Sequence, residues 1–268
     1  MNNLTLGISP CPNDTFIFEA WITGLLSGAE HPHVTFADVQ TLNEQAQLGA
    51  FDVVKVSCGC LSQLLDTYQI LQSGGAMGFG CGPLLLSSTD EPFNPDVETW
   101  LPGRDTTASL LFSHWCTSKG FAAPQVHYAL FDEVYRALGS GEARQGVVIH
   151  EHRFTWARDG LFLLQDLGAH WESATGSPIP LGVILARKDL GAERIGHIEE
   201  WIRASLAHAW ERPLISTPFL TSHAQETSND VVEAHVRMFV NDFSMDIGEQ
   251  GKNAISTLLK IQAQRSTR

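Results

Sequence analysis

The sequence predicts an α/β fold of two lobes with a ligand cleft between them. Short β-type runs alternate with helical patterns, the mark of βαβ units and a mostly parallel sheet. Two apolar strand-like runs, 82–88 and 180–187, bracket a middle section, so the chain crosses twice between lobes. A polar, proline-containing stretch over 89–102 marks the first border. The expected division is 1–88 with 182–268 as a discontinuous first lobe, and 89–181 inserted as the second. Two lobes joined by two crossings make a hinged cleft, the usual place for a small ligand.

Taken in order, residues 4–9 form a strand that Pro10-Cys11-Pro12 stops. Asn13, Asp14 or Thr15 then caps a helix to residue 26, with Ile17, Ala20, Trp21, Gly24 and Leu25 along one face. A strand over 34–39 leads to a helix over 41–48 that Gly49 ends, then a strand over 53–57 and a helix over 61–68. The glycine-rich segment 74–82 runs into Pro83 and the apolar run Leu84-Leu85-Leu86. A dinucleotide loop must open a helix, so these glycines serve a tight turn or a close backbone approach. Asp105, Thr106 or Thr107 caps a helix to 118; strands follow over 126–130, 146–149 and 161–165, with helices over 133–138 and 169–174 between and after them. A strand over 180–187 returns, and the remainder is helical, over 192–210, 231–240 and 250–262.

Composition narrows the function. The chain of 268 residues carries 17 Lys+Arg against 30 Asp+Glu, a net charge of −13, which argues against nucleic-acid or anionic-membrane partners. It is 43% hydrophobic and 18% charged, enough for a core and too apolar for disorder. No apolar run approaches the roughly 18–20 residues of a membrane span, and the N-terminus has no signal-peptide pattern. Five cysteines in no pairing pattern read as reduced thiols. A cytoplasmic globular protein is expected.

Three groups of residues could carry chemistry. His150 follows the apolar run Gly146-Val147-Val148-Ile149, and the carboxyl ends of parallel strands face the ligand crevice. An imidazole there suits a general base near neutral pH, against the plainer reading of a structural histidine bonded to backbone. Gly103-Arg104-Asp105-Thr106-Thr107-Ala108 places hydroxyls and open N–H groups at a helix start, which serves an anion or merely a cap. Lys55 interrupts the apolar strand Val53–Ser57 and must reach a carboxylate or the cleft, with Ser57 on the same face. His150 with His152, and Cys58 with Cys60, fall short of a metal site's ligand count. No Gly-x-Ser-x-Gly occurs, and the tryptophans at 115, 171, 201 and 210 fall on helical segments as core residues.

Ser9-Pro10-Cys11-Pro12-Asn13-Asp14-Thr15-Phe16 resembles the opening signature of the 1,4-dihydroxy-6-naphthoate synthase family of menaquinone biosynthesis, the futalosine route. Matching segments follow in order at 38–43, 55–57, 73–83, 102–108, 150–155, 171–182 and 240–251, so the resemblance spans nearly the whole chain. It implies a periplasmic-binding-protein-like (type II) fold, and the cleavage of cyclic de-hypoxanthine futalosine to 1,4-dihydroxy-6-naphthoate without a cofactor or metal. His150 matches the family's proposed base; Lys55, Val56 and Ser57, with Thr107 and Ala108, match its substrate-contacting segments. His152 departs from the small or polar residue expected there, and Cys58-Gly59-Cys60 belongs to no signature. The rivals are chorismate dehydratase of the same route, whose motifs differ, and a transporter's solute-binding component, which requires export or lipidation.

Overall fold

The computed structural model describes residues 4–213, 215–224 and 228–266. β1 (Thr5–Ile8) leads to α1 (Pro12–Ile22), β2 (His33–Phe36) to α2 (Val39–Gln47), and β3 (Val53–Ser57) to a 3-10 turn (Cys58–Gln63). β4 (Tyr68–Ile70) and β5 (Ala76–Gly78) complete this stretch. β6 (Leu84–Ser87), β7 (Thr99–Pro102), α3 (Thr107–Ser118), β8 (Val126–Ala129) and α4 (Phe131–Ser140) follow. Next come β9 (Gln145–Val148), α5 (His152–Thr155), β10 (Phe162–Asp166) and α6 (Leu167–Thr175). β11 (Ile179–Arg187) is followed by α7 (Ala192–Glu211), α8 (Pro218–His223), α9 (Asn229–Phe239), α10 (Asp242–Met245) and α11 (Gly248–Ser266).

Two sheets result, with order β2-β1-β3-β11-β4 (β5 also on β11) and β10-β6-β9-β7-β8. The expectation of a mostly parallel sheet needs correction, because both sheets are mixed. β1 is parallel to β2 and β3, and β7 to β8 and β9, as βαβ units require. Every antiparallel pairing involves β6 or β11, the two strands that bracket the middle section. A strand arriving from the other sheet enters against the local direction, and residue periodicity carries no sign of that. β6 itself pairs with β9 and β10, so the chain changes sheet in the segment 79–83, ahead of residue 88.

Local departures have similar causes. α1 starts at Pro12, whose missing N–H costs nothing at a first helical position, and its cap position is Cys11 without a side-chain bond. The expected caps are therefore occupied elsewhere, and the helix ends at Ile22. The helix expected over 61–68 is a 3-10 turn followed by β4, because Tyr68 is fully buried and its hydroxyl donates to Phe51 O at 2.8 Å. β7 hides in the polar stretch 89–102; its Thr99 is buried and accepts from Gln145 Nε2 at 2.9 Å.

Three apolar clusters hold the fold. Phe16, Ile17 and Trp21 of α1 pack with Ile198, Ile202 and Leu206 of α7 over one face of the first sheet. Leu84, Leu86, Val134, Leu138 and Val148 form a core behind the second sheet. The largest runs through both sheets, from Leu258 of α11 past Val56 and Val183 to Phe112, Trp115, Val147 and Trp171. Each fully buried aliphatic or aromatic side chain contributes on the order of 1.5–3 kcal/mol.

Candidate active site

The cleft opens where the carboxyl ends of the parallel strands converge. β1 runs into Ser9, β3 carries Lys55 and Ser57, β7 leads through Gly103 to the start of α3, and β9 delivers Ile149 and His150. Lys55, Val56, Ser57, Thr107, Ala108 and His150 all line this one cleft, joined by Ser9, Asp14, Arg153 and Phe239. It encloses about 710 Å³ of empty space, counting its open mouth.

One wall is a closed network. Lys55 forms a buried ion pair with Asp14. Asp14 also accepts from the Ser9 hydroxyl at 2.7 Å, the Ser9 N–H at 3.2 Å and Asn13 Nδ2 at 2.8 Å. The lysine thus satisfies both readings of the sequence, ion pair and cleft wall. The opening signature, Ser9 to Thr15, is the set of residues that brings this carboxylate to meet it.

The seam beside it is fastened by hydroxyls. Thr106 caps α3 by accepting from Ser109 N at 3.2 Å. Thr107 N–H donates to Ser57 Oγ at 2.8 Å, and Gly59 N–H donates to Thr107 Oγ1 at 3.1 Å. Thr107 Oγ1 in turn donates toward Leu181 O at 3.1 Å. The donor expected of Thr107 is therefore already committed to Ser57, which leaves the anion-binding capacity of this helix start to Ala108 N–H, a position the helix itself does not bond. Gly59 explains the Cys-Gly-Cys stretch: a Cβ there would stand 2.4 Å from the Thr106 carbonyl carbon and 2.6 Å from Thr107 N.

The opposite wall carries the base. His150 is half-buried and has φ +57°, the one positive-φ non-glycine among the described residues. That conformation costs an L-residue of this kind about 1 kcal/mol or more and marks a constrained site. Phe131 meets its ring edge-on at 5.0 Å. Removal from water holds the imidazole below its ordinary 6.5, against the opposing pull of Glu151, Asp38 and Asp14, so it is neutral at pH 7 and able to accept a proton. His152, two residues on, turns away and stacks on Tyr135 at 3.7 Å. Among the described residues no cluster of three or more His, Cys, Asp or Glu could hold a metal ion.

Sequence reasoning missed several residues here. Arg153 donates to Gly82 O at 2.6 Å and to Asp166 Oδ2 at 2.7 Å, fixing it on the cleft wall. Gly82 and Gly168 allow that approach, since a Cβ on Gly82 would lie 2.3 Å from Gly168 Cα. His235 of α9, fully buried, lies parallel to the His150 ring at 5.9 Å. Its signal was available: 232, 235, 236 and 239 form the buried stripe of that helix, and a histidine on an apolar stripe needs partners. The five cysteines are buried thiols. Burial pushes Cys58 and Cys81 up to about 12 and Cys60 to about 11, far from thiolate chemistry.

The comparisons agree with this geometry. Residues 4–264 match the family model described as menaquinone biosynthesis. The chain is 42% identical over 260 residues to 1,4-dihydroxy-6-naphtoate synthase of Streptomyces coelicolor, covering 96% of this chain and 92% of that one. The synthase of the same name from Thermus thermophilus is 42% identical over 258 residues, covering 96% and 93%. Protein AF1704 from Archaeoglobus fulgidus superposes with a TM-score of 0.91 at 26% identity, over 99% of this chain and 98% of that one. The periplasmic aliphatic sulphonate binding protein SsuA from Escherichia coli gives 0.68 at 10% identity over 97% and 85%, a likeness of fold alone. Two mixed sheets around a shared cleft are thus a periplasmic-binding-protein-like frame, and by its sequence over almost its full length the chain belongs to the menaquinone biosynthesis family.

Proposed function

We propose that the protein is a cytoplasmic carbon–carbon lyase that converts cyclic de-hypoxanthine futalosine to 1,4-dihydroxy-6-naphthoate, without a cofactor, in menaquinone biosynthesis. The observation that carries this reading is the neutral imidazole of His150, held in a left-handed turn at the cleft wall. No helix among the described residues is long and apolar enough to cross a membrane.

His150 removes a hydroxyl proton from the cyclised sugar, and the alkoxide collapses with scission of the adjacent C–C bond in a retro-aldol sense. Departure of the sugar-derived fragment lets the new ring become aromatic, so much of the driving force lies in the substrate. The protein supplies a base, orientation and a dry cleft. The aromatic carboxylate meets the start of α3 at Ala108 N–H and the Thr107 segment, and Lys55, Val56 and Ser57 form the floor beneath it. Lys55, already paired with Asp14, keeps that floor neutral, while the helix dipole attracts the anion locally against the protein's net negative charge. The two sheets serve as cores of two lobes, the inserted one running from the crossing at 79–83 to the return of the chain at β11.

The test is to incubate purified protein with cyclic de-hypoxanthine futalosine, adding neither metal nor nucleotide, and to look for 1,4-dihydroxy-6-naphthoate by chromatography. Product formed by the native protein and lost in His150→Ala supports both reaction and base. Product that persists in the variant removes His150 from its role, and a folded native protein without turnover removes the reaction.

A further inference from the structure

Strand pairing stops short of His150. The antiparallel ladder of β6 and β9 ends with Leu84 opposite Val148. Continued by two residues, the same register would set Gly82 opposite His150. The positive φ of His150 turns the chain out of that register, and α5, which follows, has only four residues. A single helical turn has little stability of its own. Support from behind is missing too. Glu151 Oε2 and His235 Nδ1 stand 3.9 Å apart there, and neither makes a hydrogen bond. Burial, with the charges of His150 and Lys55, keeps His235 neutral, so the two form no ion pair.

Arg153 stands where the next rung would be. Its main-chain N–H donates to His150 O at 3.2 Å, closing the turn that carries the imidazole. Nη1 donates to Gly82 O at 2.6 Å, at the point where the ladder stops, and Nη2 donates to Asp166 Oδ2 at 2.7 Å. Asp166 is fixed in its turn, since its Oδ1 accepts from Ala169 N at 2.9 Å as the cap of α6. The guanidinium fork therefore joins two acceptors on two segments, a planar two-armed span that lysine, with one nitrogen, does not reproduce.

We propose that Arg153 is the positioning residue of the base, its guanidinium replacing the missing β6–β9 rung and holding the His150 turn against the crossing segment at Gly82. The inference rests on His150 being the base. Arg153 acts through geometry, because its charge is matched by Asp166. The ionisation of the imidazole follows burial and the charges of Glu151, Asp38, Asp14 and Lys55.

Two replacements separate position from charge. Arg153→Met keeps the reach of the side chain without its donors, and Arg153→Lys keeps the charge without the fork. Each should lose roughly 10- to 100-fold in kcat with KM within about threefold of native, the expected cost of a displaced group. In Arg153→Lys the acidic limb of the pH profile of kcat should stay at its native position, because the charge at 153 is kept. In proton–nitrogen correlation spectra the His150 imidazole, assigned by its absence from His150→Ala, should give one sharp signal in the native protein. Both variants should broaden or split it. Thermal melts establish that the variants are folded, and Arg153→Lys, the milder change, decides alone if Arg153→Met does not fold. Native kcat in Arg153→Lys would make the arginine a charge only, and a raised KM with kcat kept would make it a substrate contact. Either result overturns the positioning role, as does a shifted acidic limb in Arg153→Lys or an unchanged His150 signal in a folded variant. If the native protein turns over no substrate, or His150→Ala keeps its activity, the proposed reaction or base falls, and the His150 signal still decides whether Arg153 holds the turn.

Discussion

The two walls of the cleft face the same ligand and are built on opposite terms. On the side of β3 and α1, Asp14 alone gathers Lys55, both donors of Ser9 and the amide of Asn13, and every polar group has a partner. Across the cleft, His150 hangs from a strained turn, packed against rings and backed by two atoms that make no hydrogen bond. A satisfied network gives rigidity, and a sparsely bonded group keeps its lone pair for chemistry. The first wall should thus respond to mutation chiefly in stability and the second chiefly in rate.

The most severe test is His150→Ala, expected to lower kcat by about 10²–10⁴ with the thermal melt close to native. A large loss of stability instead would erase the contrast. Asp14→Ala strips Lys55 of its partner inside the protein and should cost about 3–5 kcal/mol in urea denaturation, because a buried charge is left alone. Ser57→Ala removes the acceptor for Thr107 N–H at the seam; about 1 kcal/mol of stability and a raised KM are expected, with kcat nearly kept. His150→Gly, equally inactive, should melt above His150→Ala by about 1 kcal/mol, since glycine tolerates the positive φ. Equal melts would mean the turn stores no strain.

A pH series sharpens the same contrast. The imidazoles of His150 and His235 are both held below 6.5 by burial, so the unfolded chain binds more protons than the native one as pH falls below that value. Stability should therefore decline on acidification below about 6.5. The buried thiols act in the other direction: raised to about 11 and 12, they make the native state lose stability as pH climbs from 9 toward those values. Chemical denaturation across pH should show a plateau between.

The parts of this molecule that are local were legible. Val53–Ser57 is a continuous apolar run with a single lysine, and its strand is as expected. Thr106 caps α3 because a hydroxyl followed by a helical pattern is a short-range signal. His150 stood out because a titratable group ends an apolar strand. What escaped is what depends on distant partners: the direction of β6 and β11, the strand at Tyr68 that forms by pairing with β11, and the meeting of Glu151 with His235. The Asn13-Asp14 pair was in view as part of a signature, but its purpose appears only when β3 brings Lys55 alongside.

Gly59 has a consequence for anyone who wants to manipulate this cleft. With room for a hydrogen atom and no more against the backbone of Thr106 and Thr107, the residue is a gauge block for the gap between its turn and α3. A single methyl group at that point is a shim thick enough to push the start of α3 away from its turn, and Thr107 on the cleft wall moves with it. Gly59→Ala should accordingly loosen the Ser57–Thr107 seam, read as a lower thermal melt together with a raised KM.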